Sequence, residues 1–151
     1  IEDFRQVDQT YLERSYQSVL IHPVPQRSPV EEIVVQSFMA FNNKYFQYDL
    51  SGTFEIQLLK YLDGSHYDWH CDYGNSNGPV RKLSMTIQLT HHWEYNGCDV
   101  ILKDWYNRSH NISKEIGSVT VFDSKVPHKV TPLTNGERIV LVAWAHGPEL
   151  R

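Results

Sequence analysis

Between Lys82 and Thr90 the chain alternates without a break, with Leu83, Met85, Ile87 and Leu89 on one side and Ser84, Thr86, Gln88 and Thr90 on the other. A period of two is the mark of a strand, whose successive side chains point to opposite faces. Further strand-like runs lie at 53–61, 99–102, 118–122, 129–133 and 137–145. Turn clusters divide them, among them Tyr73-Gly74-Asn75-Ser76-Asn77-Gly78-Pro79 and Thr134-Asn135-Gly136. Many short strands joined this closely fit a double-sheet jelly roll. The first 45 residues read differently. Phe4, Val7, Tyr11, Leu12, Tyr16, Val19 and Leu20 recur at helix spacing, and a proline-rich break follows at 21–25. Ser28-Pro29-Val30-Glu31 then resembles a capping box with proline at the first helical position. Val30, Ile33, Val34, Phe38 and Phe41 supply the apolar face of the helix it opens. The expectation is a mainly β chain with N-terminal helices, of α+β class, forming one domain over 1–151. Residues 1–45 would be its helical support and about 53–148 its β core.

Composition narrows what such a domain can do. Hydrophobic residues make up 40% of the 151 and charged residues 21%, enough to bury a core without staples. The net charge is −4, and Arg81-Lys82 is the one adjacent cationic pair. Duplex nucleic acid is therefore not an expected partner, because phosphate binding needs clustered lysine and arginine. No apolar run approaches the roughly 20 residues of a membrane helix. Cys71 and Cys98 cannot make a disulfide framework, and their spacing is not a zinc pattern. Reduced thiols in the cytoplasm are the plain reading.

The polar row of the alternating strand has two possible fates. On an open sheet it faces water; in a small barrel it lines a cavity with hydrogen-bonding groups. A metal motif favours the second. Two histidines and a carboxylate on one face can hold Fe(II) and leave the opposite positions open. His70-Cys71-Asp72 offers two such ligands at i and i+2, which share a face on a strand. With 8 histidines and 9 aspartates, chance supplies about half an occurrence of His-x-Asp, yet there are two, the other being His66-Tyr67-Asp68. Local pattern alone does not choose between them.

Context does. The stretch from Tyr61 through Gly64 and Trp69 to His70-Cys71-Asp72 resembles the signature of the prolyl-4-hydroxylase-type 2-oxoglutarate oxygenases. The similarity continues, in the family's order, through Arg81 to Leu89, Gly117 to Phe122, Pro127 to Pro132 and Gly136 to Trp144. It covers roughly residues 54 to 148. The resemblance implies a double-stranded β-helix, cupin-like, with iron between its sheets. Carried over, His70, Asp72 and His128 are the catalytic metal ligands. Arg138, ten positions after His128, is the cationic partner of the cosubstrate's far carboxylate, matching the rule that a buried carboxylate must be paired. Tyr61, nine positions before His70, is a hydrogen-bonding phenol, and Gln88 is a third contact, with Thr90 its nearest competitor. Two departures stand out. Val140 replaces the serine some relatives carry, and Gly97-Cys98-Asp99 stands where relatives often read Gly-Gly-Glu; no role is assigned to that loop.

The resemblance implies an Fe(II)- and 2-oxoglutarate-dependent dioxygenase that consumes O2, releases succinate and CO2, and is served by ascorbate. Prolyl or other peptidyl hydroxylation is the expected outcome, on a peptide, a protein or a small molecule. Alternatives are an oxygenase of the same superfamily acting on a small molecule or nucleobase, and a cupin-like metal-binding domain without 2-oxoglutarate turnover. Tyr73, Trp69, Trp144 and the Trp105-Tyr106 pair would wall the mouth with aromatic surface. Residues 73–79, directly after Asp72, are an expected lid. His91, His92, His110 and His146 read as ordinary loop histidines, and Cys71 as a small packed residue.

Overall fold

The computed structural model describes residues 5–6, 19–74 and 79–149. Most of the helical spacing expected before residue 20, and the centre of the expected lid at 75–78, lie outside them.

Twelve strands and one long helix are described. The strands are β1 (Arg5–Gln6), β2 (Leu20–Pro23), β3 (Phe54–Tyr61), β4 (Tyr67–His70), β5 (Val80–Gln88) and β6 (Tyr95–Gly97). After them come β7 (Val100–Lys103), β8 (Ser109–Asn111), β9 (Val119–Asp123), β10 (His128–Val130), β11 (Leu133–Gly136) and β12 (Arg138–Gly147). A major sheet runs β1-β2-β3-β12-β5-β9, a minor sheet β4-β10-β7-β8, and β11 pairs with β6 in a separate ladder. All pairings are antiparallel.

Helix α1 (Pro29–Phe41) begins where its capping signal predicts. Ser28 Oγ accepts the Glu31 backbone N–H at 3.2 Å, and Pro29 needs no donor partner there. The Glu31 carboxylate reaches the backbone N–H of Arg27 instead of closing the box on Ser28. The buried face is narrower than the periodicity suggests, since Val34 and Phe38 are buried while Val30 and Ile33 face solvent. The helix continues as a π-helical turn over Asn42–Phe46, ended by Gln47 in the left-handed region at φ 55°.

Leu20–Pro23 corrects the helical reading of the N-terminal segment. It is a strand on the edge of β3, with Leu20 opposite Lys60 and Ile21 opposite Leu59. Pairing with β3 on one side and β1 on the other outweighs the local 3.6-residue spacing. The run at 129–133 is also not one strand. Pro132 has no N–H to give a ladder, so β10 stops at Val130, and Leu133 starts a new ladder opposite Gly97.

The two faces of β5 and β12 settle the fate of the polar row. Leu83 and Met85 with Leu141, Ala143 and Ala145 pack beneath Val34 and Phe38 of α1. The alternate residues Ser84, Thr86, Arg138, Val140, Val142 and Trp144 point between the sheets and line a cavity of about 220 Å³. A second apolar cluster, including Tyr61, Tyr95, Val100 and Leu133, closes the inner end. Both faces of the central strands are therefore covered, and the hydroxyl row belongs to the barrel interior. Among the described residues no helix is long and apolar enough to cross a membrane.

Candidate active site

His70 ends β4, and His128 begins β10 directly opposite it in the minor sheet. Residues opposite one another on antiparallel strands carry their Cβ atoms about 5 Å apart, so two imidazoles there must meet. Their ring centroids are 4.1 Å apart. Asp72 lies two residues past the end of β4. The chain turns back there because Asp72 and Tyr73 both donate backbone N–H groups to the Ser124 carbonyl, at 2.9 and 3.0 Å. Asp72 Oδ1 sits 3.6 Å from His70 Nε2 and 3.5 Å from His128 Nε2. One ion can touch all three atoms. Among the described residues this is the one His/Cys/Asp/Glu group so gathered.

Each of the three candidate ligands is held from behind. His70 Nδ1 lies 2.7 Å from the Asp68 carbonyl oxygen and His128 Nδ1 lies 2.9 Å from that of Val126. Those contacts fix the proton on Nδ1 and leave the Nε2 lone pairs facing each other, as in most histidine metal sites. Burial first, then the neighbouring His128, pushes the His70 imidazole well below its usual range, so it is neutral at pH 7. Asp72 Oδ2 accepts the Ser84 hydroxyl at 2.7 Å and the Trp144 indole N–H at 3.0 Å. One carboxylate oxygen is thus tied to the barrel wall while the other faces the histidines.

Trp144 is itself fixed. The Arg81 guanidinium lies 3.9 Å over its ring and donates Nε–H and Nη2–H to Glu55, at 3.1 and 2.9 Å. His146 Nε2 binds the same carboxylate at 2.6 Å. Burial works against ionisation of Glu55, but Arg81 and then His146 outweigh it and hold the carboxyl below its ordinary range.

The far end of the cavity carries a different chemistry. Arg138 is 1% exposed, and no carboxylate pairs with it among the described residues. It sits opposite Tyr61 across β12 and β3, with its guanidinium 5.2 Å from the phenol ring centroid. Its Nε–H donates to Gln88 Oε1 at 3.2 Å and Nη1 reaches Cys98 Sγ at 3.7 Å. Thr86 Oγ1 is buried in the cavity wall without a hydrogen-bond partner. A buried unpaired hydroxyl and a buried cation without a counter-charge are both costly until an anionic acceptor arrives. These donors fit a carboxylate-bearing ligand whose other end meets a metal at the triad.

All six residues singled out from sequence gather in or against this cavity. Gln88 stands behind Arg138, while Thr86, one step earlier on the same face, lines the cavity. Thr90 Oγ1 accepts the Ile139 backbone N–H at 2.8 Å, which explains its polar position without a ligand. The pair His66/Asp68 stays apart from the triad: His66 Nδ1 faces the Gly64 carbonyl at 3.1 Å, and Asp68 is exposed. Ser84, Arg81 and Thr86 were not singled out as site residues. For Ser84 and Thr86 the signal was the uninterrupted alternation of β5, which puts every second side chain on the cavity face. Arg81 has the opposite parity and lines the cavity beyond the register shift at Ala145/His146, which the alternation does not mark. Of the aromatic mouth, Trp144 lies inside the barrel, Trp69 is outward on the minor sheet, and Trp105 and Tyr106 stand in solvent.

Residues 56–146 match the family described as the 2OG-Fe(II) oxygenase superfamily. A PKHD-type hydroxylase of Prochlorococcus marinus is 30% identical over 89 residues, covering 59% of this chain and 40% of that protein. One from Herminiimonas arsenicoxydans is 29% identical over 132 residues, covering 80% and 58%. The chain thus spans about half the length of these curated relatives. The crystal structure of a Pseudomonas putida prolyl-4-hydroxylase superposes with a TM-score of 0.78 at 22% identity, over 98% of this chain and 79% of that one. A Trichoplax adhaerens prolyl hydroxylase, in complex with a hypoxia inducible factor oxygen degradation domain peptide fragment, gives 0.71 at 19% identity, over 87% and 64%. At such identities the likeness is one of fold, the double-stranded β-helix. Because the matched stretch takes in the two histidines, the aspartate and the buried arginine together, the chain belongs to the 2OG-Fe(II) oxygenase superfamily.

Proposed function

We propose that this domain is an Fe(II)- and 2-oxoglutarate-dependent hydroxylase acting on a prolyl or other peptidyl residue. The observation that carries the reading is the two-ended cavity: three metal-ligand atoms at one end and a buried, carboxylate-free Arg138 at the other. Iron bound with 2-oxoglutarate supplies O2 activation, with release of succinate and CO2 and hydroxylation of the substrate. His70, Asp72 and His128 hold the metal on one face. Arg138 pairs the far carboxylate of the cosubstrate, with Tyr61 and Thr86 as neutral donors beside it. The apolar walls from Val100, Val140 and Val142 keep bulk water from the reacting centre. Residues 1–151 act as one domain, and the two free thiols fit a cytoplasmic setting.

The peptide assignment draws support from the prolyl hydroxylase likeness and from the Arg81–Trp144 stack at the metal end, a flat surface suited to a proline ring. Turnover decides it. Protein given Fe(II), ascorbate and 2-oxoglutarate should form succinate faster with proline-containing peptide pools than with methylated oligonucleotides. Coupled turnover with oligonucleotides alone would remove the peptide reading, and no succinate under any condition would remove the oxygenase reading.

Two substitutions follow from the wall. Trp144→Phe keeps the aromatic surface but frees Asp72 Oδ2 from one of its two donors. Metal affinity should fall by about 10- to 100-fold, the usual cost of losing an orienting partner. Thr86→Val removes an unpartnered buried hydroxyl. The ligand-free protein should therefore unfold at the same or a higher temperature, while 2-oxoglutarate binding weakens by about 0.5–1.5 kcal/mol. Lower stability joined to unchanged binding would show that the hydroxyl has no part in the site.

A further inference from the structure

The turn from β6 into β7 has an unusual backbone. Gly97 and Cys98 both lie in the left-handed region, at φ 76° and 54°. For Gly97 the reason is close approach: a β-carbon would strike the Pro132 carbonyl. Cys98 has no such excuse. A side chain there is strained and glycine would relax the backbone, so a residue kept in this conformation prompts the question of what its side chain does.

The loop is braced on every side. Cys98 donates its N–H to the Pro132 carbonyl at 3.2 Å, Asp99 donates its own to Thr131 Oγ1 at 2.8 Å, and Thr131 N–H returns to the Asp99 carbonyl at 2.9 Å. Lys114 Nζ donates to the Gly97 carbonyl at 3.0 Å and pairs with the Asp99 carboxylate. The Cys98 side chain is 1% exposed, and the position of its sulfur is therefore set by the loop. That sulfur meets Arg138 Nη1, while Gln88 Oε1 takes Arg138 Nε. Two anchored corners fix the plane of a rigid guanidinium. The remaining nitrogen, Nη2, has no protein acceptor among the described residues, and Arg138 lines the cavity.

We infer that Cys98 is a positioning residue for cosubstrate binding: its sulfur, with the Gln88 amide, holds Arg138 so that Nη2 faces the cavity. The inference rests on the reading of Arg138 as the carboxylate partner. It adds that both anchors are neutral. An amide and a thiol orient the cation without cancelling its charge, whereas a carboxylate in either place would compete with the ligand. Burial pushes the Cys98 thiol above its ordinary range, against the pull of Arg138 and Lys114, so the anchor stays uncharged.

The test compares Cys98→Gly with Cys98→Ser in Mn(II)-loaded protein, reading 2-oxoglutarate and Mn(II) affinities by calorimetry and the unfolding midpoint without ligand. Cys98→Gly loses the anchor but relieves the backbone. Its midpoint should stay within about 4 °C of the parent, its Mn(II) affinity should be unchanged, and its Kd for 2-oxoglutarate should rise about fivefold to tenfold, the worth of one modest hydrogen bond. Cys98→Ser keeps an uncharged acceptor and should bind within about threefold of the parent. Unchanged 2-oxoglutarate binding in Cys98→Gly would overturn the inference. So would a parallel fall in stability and in both affinities, which marks a packing residue. A parent protein that binds no 2-oxoglutarate would refute the cosubstrate reading itself. The Cys98–Arg138 link is then judged by whether Arg138→Gln shifts the ligand-free midpoint differently in parent and Cys98→Gly backgrounds. Equal shifts would overturn it as well.

Discussion

Replacing His70 or Asp72 by alanine is expected to abolish iron binding, and His66→Ala to leave it nearly intact. The two His-x-Asp pairs differ only in where the fold puts them. His70 is drawn against His128 by strand register, and Asp72 is turned inward by Ser124, Ser84 and Trp144. His66 instead faces a backbone carbonyl before β4, with Asp68 on the outer side of the strand. Losing a ligand must cost more than losing an orienting partner, so the expected fall exceeds about 100-fold. Asp72→Ala adds a second penalty by leaving the Trp144 indole N–H without its acceptor, whereas the Ser84 hydroxyl can still turn to Ser124 Oγ at 2.9 Å. Titration of the apoprotein with Fe(II) under anaerobic conditions, or with Mn(II) followed by electron paramagnetic resonance, measures it directly. Comparable loss from His66→Ala would overturn the choice of pair.

Arg138→Ala is expected to weaken 2-oxoglutarate binding by about 2–5 kcal/mol, because the far carboxylate would be buried without a charged partner. That range corresponds to roughly 30-fold to several thousand-fold in affinity. Tyr61→Phe removes one neutral hydrogen bond and should cost about 0.5–1.5 kcal/mol. The order of the two effects is the informative part. Were Tyr61→Phe the more damaging, the guanidinium would not be the carboxylate's partner. Metal affinity serves as the internal control, since Arg138 sits on the opposite end of the cavity from the triad and neither substitution should disturb the metal ligands.

Much of this molecule is local information. The alternation of β5, the capping of α1 by Ser28 and Pro29, and the inward face of β12 follow from side-chain periods of two and 3.6, which a strand or helix expresses wherever it lies. The gathering of the candidate ligands was legible for a related reason. A metal needs particular donor atoms, and the ordered likeness around His70, Asp72, His128 and Arg138 carried it. Other features needed three dimensions. Leu20–Pro23 became a strand because β3 offered an edge, and the break at Pro132 appeared only when Leu133 found Gly97 across a ladder. Thr86 and Gln88 share a face in sequence, but the position of Arg138 decided which of them lines the cavity and which stands behind the cation. Cys98 is the extreme case. The Gly97-Cys98-Asp99 departure marked the loop but not a role for the thiol, because the strain belongs to the loop's backbone and the partner lies 40 residues away. Periodicity and donor chemistry are properties of the chain; contacts across sheets, and the roles they confer, exist only once the chain has folded.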